Sequence, residues 1–223
     1  MPIRRIPLVT LELYHLLNRG IAKVPIFTDK PCYERFLRTI DYYRFVNIPI
    51  KLSHFLVLSQ EEQEKLIRQL NQQENKLVEL VCYCAMPNHF HIVAKQLVDY
   101  GISTYMRKLS DSYTRYFNIK NERIGPLLQG RFKAVLVETE DQLYHLSRYV
   151  HINPFVGHVV NRENLKTYPY SSLLEYFCNK SRKIVNKELI LSHFGSVDDY
   201  VKFIDDEVDY KAKGEEIAHL TLE

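Results

Sequence analysis

No two cysteines of this chain stand in C-x-x-C spacing, so the sequence offers neither a zinc knuckle nor a dithiol redox centre. The four present, Cys32, Cys82, Cys84 and Cys178, read as reduced core thiols of a cytoplasmic protein, and Cys82 and Cys84, at strand spacing, are poorly placed to bridge each other. No apolar run approaches the ~18 residues that span a bilayer. The stretch from Met1 to Pro7 lacks the apolar core of a signal peptide, so nothing points to export or to a membrane. Neither sign of charge dominates: 30 Lys and Arg face 27 Asp and Glu, which excludes a histone-like polycation and leaves room for a local basic surface. Tryptophan is absent while tyrosine occurs 16 times. Tyrosine serves for stacking on bases, as a nucleophile, or as a semi-polar core filler. At 223 residues the chain fits one large domain, or a domain with a small appendage, and can bury a full core without staples.

Against this background the stretch from Met86 to Val93, MPNHFHIV, stands out. Two histidines flank one large apolar residue, so in a β-strand His89 and His91 share one face while Phe90 points into the core. Two imidazoles on a rigid element suit a divalent metal. A solvated strand face carries the same pattern, so the pair alone does not define a site. Pro87-Asn88 reads as the turn leading into the strand.

The remaining pattern predicts a strand over 8–17 ending in a turn at Asn18-Arg19-Gly20, then a helix from Asp29-Lys30-Pro31 to about residue 45. Ser53 to Leu58 has the look of a short strand, and Ser59 to Glu62 is a capping box opening a polar helix. Residues 76–86 and 89–96 form two antiparallel strands, followed by a helix over 102–118. A short strand follows at Ala134 to Glu138, and a second capping box at Thr139 to Gln142 opens a helix on which His145, Tyr149 and Asn153 share a face. Pro154 is expected to stop that helix, which leaves Asn153 in its frayed last turn. A last helix is expected from Val197 to about Ile204, with a mobile tail over the final ten residues.

Cations cluster between positions 107 and 133: Arg107, Lys108, Arg115, Lys120, Arg123, Arg131 and Lys133 stand against Asp111 and Glu122. Interleaved with aromatics, they fit a track for a phosphate backbone, although a solvated helix face explains the first three equally well. Arg131 and Lys133 alternate with Phe132 and so share a face. Asn18 and Arg19, at the tip of the first strand, offer a cation and backbone amides to a phosphate, or form a plain turn.

MPNHFH at 86–91, SYTRYFN at 112–118, QGRFK at 129–133 and RYVHINP at 148–154 together resemble the single-tyrosine HUH transposases of the IS200-like and REP-associated type. YHLLNRG near the start and YPYSS near residue 170 extend the similarity over roughly 11–177. The resemblance implies an α+β fold: a ferredoxin-like (RRM-like) palm with a central antiparallel sheet and packed helices, followed by a small helical extension. It implies a transposase domain over 1–178, with an insertion at about 47–75 longer than a simple link, and a C-terminal region over 179–223. It implies a divalent metal, Mg²⁺ or Mn²⁺, on His89 and His91, with Asn153 as third ligand and Tyr149 as nucleophile. Tyr113 is the rival nucleophile, although its place on an apolar stripe favours core packing.

The implied chemistry is cleavage of single-stranded DNA, with hairpins near the cut recognised by shape, and Asn18, Arg19, Arg107, Arg115, Arg131 and Lys133 are the candidate DNA contacts. Relatives include obligate homodimers and monomers, and no heptad here decides between them. A regulator that keeps the palm without catalysis, and a metal hydrolase with no covalent step, are the competing classes. The second expects further carboxylate ligands, yet the nearest one downstream of the histidines is Asp99.

Overall fold

The computed structural model describes residues 7–72, 75–178 and 184–212. The elements run β1 (Leu13–Arg19), a 3-10 turn (Ile21–Lys23), α1 (Lys30–Tyr42), α2 (Leu52–Phe55), α3 (Gln60–Gln72), β2 (Val78–Met86), β3 (His89–Gln96), α4 (Gly101–Lys120), β4 (Lys133–Val137), α5 (Glu140–Val156), α6 (Arg162–Leu165), α7 (Leu173–Phe177), α8 (Glu188–Leu191) and α9 (Val197–Ala212). The sheet has the order β2-β3-β1-β4, and its pairs are antiparallel. With α1 between β1 and β2, and α4 between β3 and β4, this is the ferredoxin-like βαββαβ arrangement within an α+β fold. Among the described residues no helix is long and apolar enough to cross a membrane.

Register decides what each face carries. Residues opposite one another in a ladder share a face, so Arg19 with His89, Leu17 with His91, and His15 with Val93 lie on one side. Tyr14, Leu16, Phe90, Ile92 and Ala94 lie on the other. That second face is covered by α1 and α4, whose Phe36, Leu37, Ile40, Tyr105, Met106, Leu109 and Tyr113 fill one core. The histidine face is covered by α5 and the C-terminal helices, with Cys82, Cys84, Met86 and Val93 packed against Val150, Ile152, Tyr200, Ile204 and Val208.

Local chemistry explains the boundaries. Asp29 accepts from the Cys32 amide at the start of α1, where Pro31 needs no donor. Ser59 and Glu62 exchange hydrogen bonds at the start of α3, and Thr139 accepts from the Gln142 amide at the start of α5.

Five boundaries or assignments differ from the sequence expectation. β1 begins at Leu13, because Leu11 takes a positive φ of 72° and breaks the extended run. It continues through Asn18 and Arg19, and Gly20 bridges Leu128, so the expected turn lies further along. Ser53 to Leu58 belongs to the short helix α2 and the turn after it, because its apolar side chains, Phe55 and Leu58, close a small core with Leu52 and Tyr42 instead of joining the sheet. The helix carrying Tyr149 runs past Pro154 to Val156. Proline removes one amide from the ladder, while Gly157 N donates to Asn153 O at 2.8 Å and keeps the last turn wound. The last helix extends to Ala212. The expected mobile tail lies outside the described residues.

Candidate active site

β1 and β3 are the two central strands, so their shared face lies on backbone hydrogen-bonded on both sides. It presents three histidines, His15, His89 and His91. The His89 and His91 rings are 5.0 Å apart and nearly perpendicular, and the His15 and His91 rings stack at 5.1 Å. His89 is partly exposed, whereas His91 and His15 are buried.

The hydrogen bonds sort the ring nitrogens. His89 Nδ1 lies 2.6 Å from Asn88 Oδ1, an acceptor, so Nδ1 carries the proton and Nε2 the lone pair. His91 Nδ1 lies 2.9 Å from His15 Nε2. His91 Nε2 is buried and has no hydrogen-bond partner. Burial, with the adjacent His15 and His89 adding to it, holds the His91 pKa well below the ordinary imidazole value, and burial pushes His15 down to about 4. Both rings are therefore neutral at pH 7 and keep a lone pair, the form in which imidazole binds metal. A buried nitrogen without a partner is costly unless something meets it. The donor set thus fits a divalent cation. Among the described residues no three His, Cys, Asp or Glu side chains converge as a ligand group. Cys84, opposite His91 on β2, is not a competitor: burial raises its thiol far above the ordinary value, so it stays protonated.

Helix α5 crosses this face and carries Tyr149. Its ring stands edge-on to His91 at 5.5 Å and to His15 at 6.4 Å between centroids. Tyr149 is half-buried, and Asn153, one helical turn on, is 7% exposed. The position of α5 is fixed from behind. His151 Nδ1 lies 2.7 Å from Tyr200 Oη on α9, and His151 Nε2 lies 2.9 Å from Ser172 Oγ. Arg148 pairs with Glu207 at 2.9 Å and lies over the Phe203 ring. His145, expected beside Tyr149, turns toward Phe203, Asp141 and Arg148.

Tyr113 has a different role. It is fully buried beneath the opposite face of the sheet, donates its hydroxyl to Ile26 O, and its pKa is driven far upward by burial. No substrate phosphate reaches it there.

The candidate DNA contacts divide. Arg19 stands opposite His89 with its Nε donating to Gln129 Oε1 at 2.5 Å, and Lys133 stands exposed on the same face, opposite Leu17. The loop bearing Gln129, Gly130 and Arg131 is tied to the end of β1 by Gln129 N to Arg19 O at 2.8 Å, and Gly130 has a positive φ of 62° that glycine alone takes readily. Asn18 points to the other face, where it is buried; its Oδ1 accepts from the Arg19 amide and its Nδ2 reaches Gly130 O at 3.4 Å. Arg107 and Arg115 project from α4, the layer beyond the opposite face, and do not join the histidines.

His15 is the site residue that sequence reasoning passed over. A lone histidine in an apolar strand has no spacing partner to mark it. Its place on the Leu13 and Leu17 face, alternating with Tyr14 and Leu16 on a strand that pairs with the His-x-His strand, is the available signal.

The site is thus a two-histidine strand at the centre of a ferredoxin-like sheet, crossed by a tyrosine-bearing helix. The model of the family "Transposase IS200 like" matches residues 41–153, just over half of the chain. The chain belongs to the IS200-like transposase family. Among solved structures it is similar in fold to a REP-associated tyrosine transposase bound to a REP hairpin, with a TM-score of 0.55, 14% identity, and coverage of 82% of this chain and 89% of that one. No curated protein matches the sequence.

Proposed function

We propose that this transposase cleaves and rejoins single-stranded DNA through a 5′-phosphotyrosine on Tyr149, with Mg²⁺ or Mn²⁺ held by His89, His91 and Asn153. The observation that carries this reading is the Tyr149 ring set 5.5 Å from His91, whose Nε2 is buried without a partner. A bound divalent cation supplies Lewis-acid polarisation of the scissile phosphate. The chain's own groups do the rest. α5 holds the phenol over the sheet, so attack is directed from one side. Tyr149 Oη forms a bond to phosphorus while the bond from phosphorus to the 3′ oxygen breaks. The phenolic proton passes to solvent, and the departing oxygen takes up a proton to become a 3′-hydroxyl. The ester preserves the phosphodiester's reactivity, so a second 3′-hydroxyl displaces Tyr149 and joins a new strand without a nucleotide cofactor. Arg19 and Lys133, on the rim of this face, and Arg131 beside them are suited to hold the flanking phosphates.

The substrate we assign is hairpin-bearing insertion-sequence or repeat DNA. This is supported by the family and by the similarity to a protein bound to a REP hairpin. Residues 1–178 form the catalytic unit, with the insertion at 47–75, and 179–223 are an extension whose helix α9 supports α5. The test is cleavage of end-labelled single-stranded hairpin DNA with Mn²⁺ or EDTA, comparing wild type with Tyr149→Phe and His89→Ala. Metal-dependent cleavage lost in both variants supports the proposal. Cleavage that survives Tyr149→Phe sinks the covalent mechanism, and binding without cleavage by any form identifies a regulator on the same fold.

A further inference from the structure

On α5 the tyrosine of the proposed reaction follows directly on an arginine, and a cation one residue from Tyr149 reads as a group that meets the scissile phosphate. The structure turns it elsewhere. At about 100° per residue, Arg148 leaves the flank of α5, while Ser147 and His151 point almost diametrically away from Tyr149. Helix α9 takes hold in both directions. Arg148 Nη2 lies 2.9 Å from Glu207 Oε2 and donates to His145 Nδ1 at 2.9 Å, and the guanidinium sits 4.0 Å from the Phe203 ring centre. Tyr200 Oη lies 3.1 Å from Ser147 Oγ and 2.7 Å from His151 Nδ1. The Arg148 and Glu207 side chains are 14% and 9% exposed, so the pair is turned inward and is not offered to a phosphate backbone. α9 is anchored in its own right, by Lys166 to Asp205 at 2.7 Å and by Arg162 to Asp209.

We infer that Arg148 is a positioning residue: held by Glu207 and Phe203 of α9, it fixes the rotation of α5 about its own axis and with it the place of the Tyr149 hydroxyl. Val150 and Ile152 share a core with Ile204 and Val208, which holds the two helices together. Apolar contact has no direction, however, and tolerates a small rotation. A charged hydrogen bond is directional and does not. With its side chains a helix has a radius of about 5–6 Å, so turning α5 by about 10° moves its surface by about 1 Å. A misplacement of that size at a reacting group costs about 100-fold in rate. Arg148 has this role in the reaction on the reading of Tyr149 as nucleophile given above, whereas the placement of the ring is measurable without it.

The test replaces the pair in the full chain by Arg148→Met/Glu207→Leu. Exchanging a buried ion pair for apolar side chains of similar volume is often neutral or stabilising, so thermal melting is expected to show the fold kept while the directional contact is gone. The expected result is a kcat about 100-fold lower on end-labelled single-stranded hairpin DNA with Mn²⁺, with KM and Mn²⁺ affinity unchanged. Arg148→Lys keeps the charge without the planar fork and is expected to give a kcat between the two. A second readout needs no cleavage: 3-fluorotyrosine is incorporated in place of Tyr149 and its ¹⁹F line recorded without DNA. The line is expected to be single and narrow beside the intact pair and to shift or broaden in the double variant. Wild-type kcat in the double variant overturns the assignment, as does an unchanged ¹⁹F line. A raised KM with kcat unchanged overturns it too, by making Arg148 a DNA contact. Failure of the transposase reading shows separately, as absence of cleavage by the wild type, and the ¹⁹F line then still decides whether the pair fixes the tyrosine.

Discussion

His15 Nε2 lies 2.9 Å from His91 Nδ1, joining the two central strands through a pair of buried imidazoles. This contact fixes the His91 ring and directs its other nitrogen, which has no hydrogen-bond partner, away from His15. Outer partners of this kind set the tautomer and orientation of a metal-binding histidine. His15→Ala is therefore expected to weaken Mn²⁺ binding by about 10–100-fold, measured by titration calorimetry on the protein without DNA. His15→Gln, which keeps a hydrogen-bonding end, recovers part of the loss. Wild-type affinity in His15→Ala would show that His91 needs no such support.

The two tyrosines predict opposite outcomes. Tyr113→Phe removes the hydrogen bond to Ile26 O and is expected to cost about 1 kcal/mol of stability, with DNA cleavage retained. Tyr149→Phe is expected to melt within a few degrees of wild type and to form no covalent product. Urea denaturation and a cleavage gel on the same preparations check both.

Acid stability follows from His151. Burial lowers its pKa from 6.5 to about 3, and it meets Tyr200 and Ser172. The folded form keeps the ring neutral while the unfolded chain protonates near pH 6.5. This contribution is thus fully present above pH 6.5 and is lost as pH falls from 6.5 toward 3, at about 1.4 kcal/mol per pH unit. Denaturant unfolding of metal-free protein between pH 7 and 4 is expected to show at least this slope, since the buried His15 and His91 add to it, and His151→Gln is expected to reduce it.

Helix α9 closes the core behind Tyr149. Ile204 is fully buried in the core that contains Val150 and Ile152 of α5. Ile204→Ala is expected to cost about 2–5 kcal/mol, read as a lower denaturation midpoint with unchanged slope. A cost below about 0.5 kcal/mol would show that α9 is an independent attachment.

Much of the scaffold was legible in the sequence because it rests on local signals. The capping pairs Ser59 with Glu62 and Thr139 with Gln142 mark helix starts, and the alternation around His89, Phe90 and His91 marks the strand and its faces. What was not legible depends on tertiary partners. The apolar run at Ser53 to Leu58 has no period that separates strand from helix, and only packing against Tyr42 decides it. Asn18 reads as an exposed turn residue until the register places it beside Phe90. His15 acquires meaning only when β1 pairs with β3. The cations at 107–133 form one stretch of sequence, yet the sheet separates Arg107 and Arg115 from Lys133.

The most direct test of the account is to trap protein with single-stranded hairpin DNA and Mn²⁺, digest with trypsin and nuclease, and map the nucleotide adduct by tandem mass spectrometry. The predicted result is a phosphonucleotide on the peptide that begins at Tyr149, carried by Tyr149 itself and absent with EDTA. An adduct on any other tyrosine, or metal-dependent cleavage with no adduct at all, would contradict it.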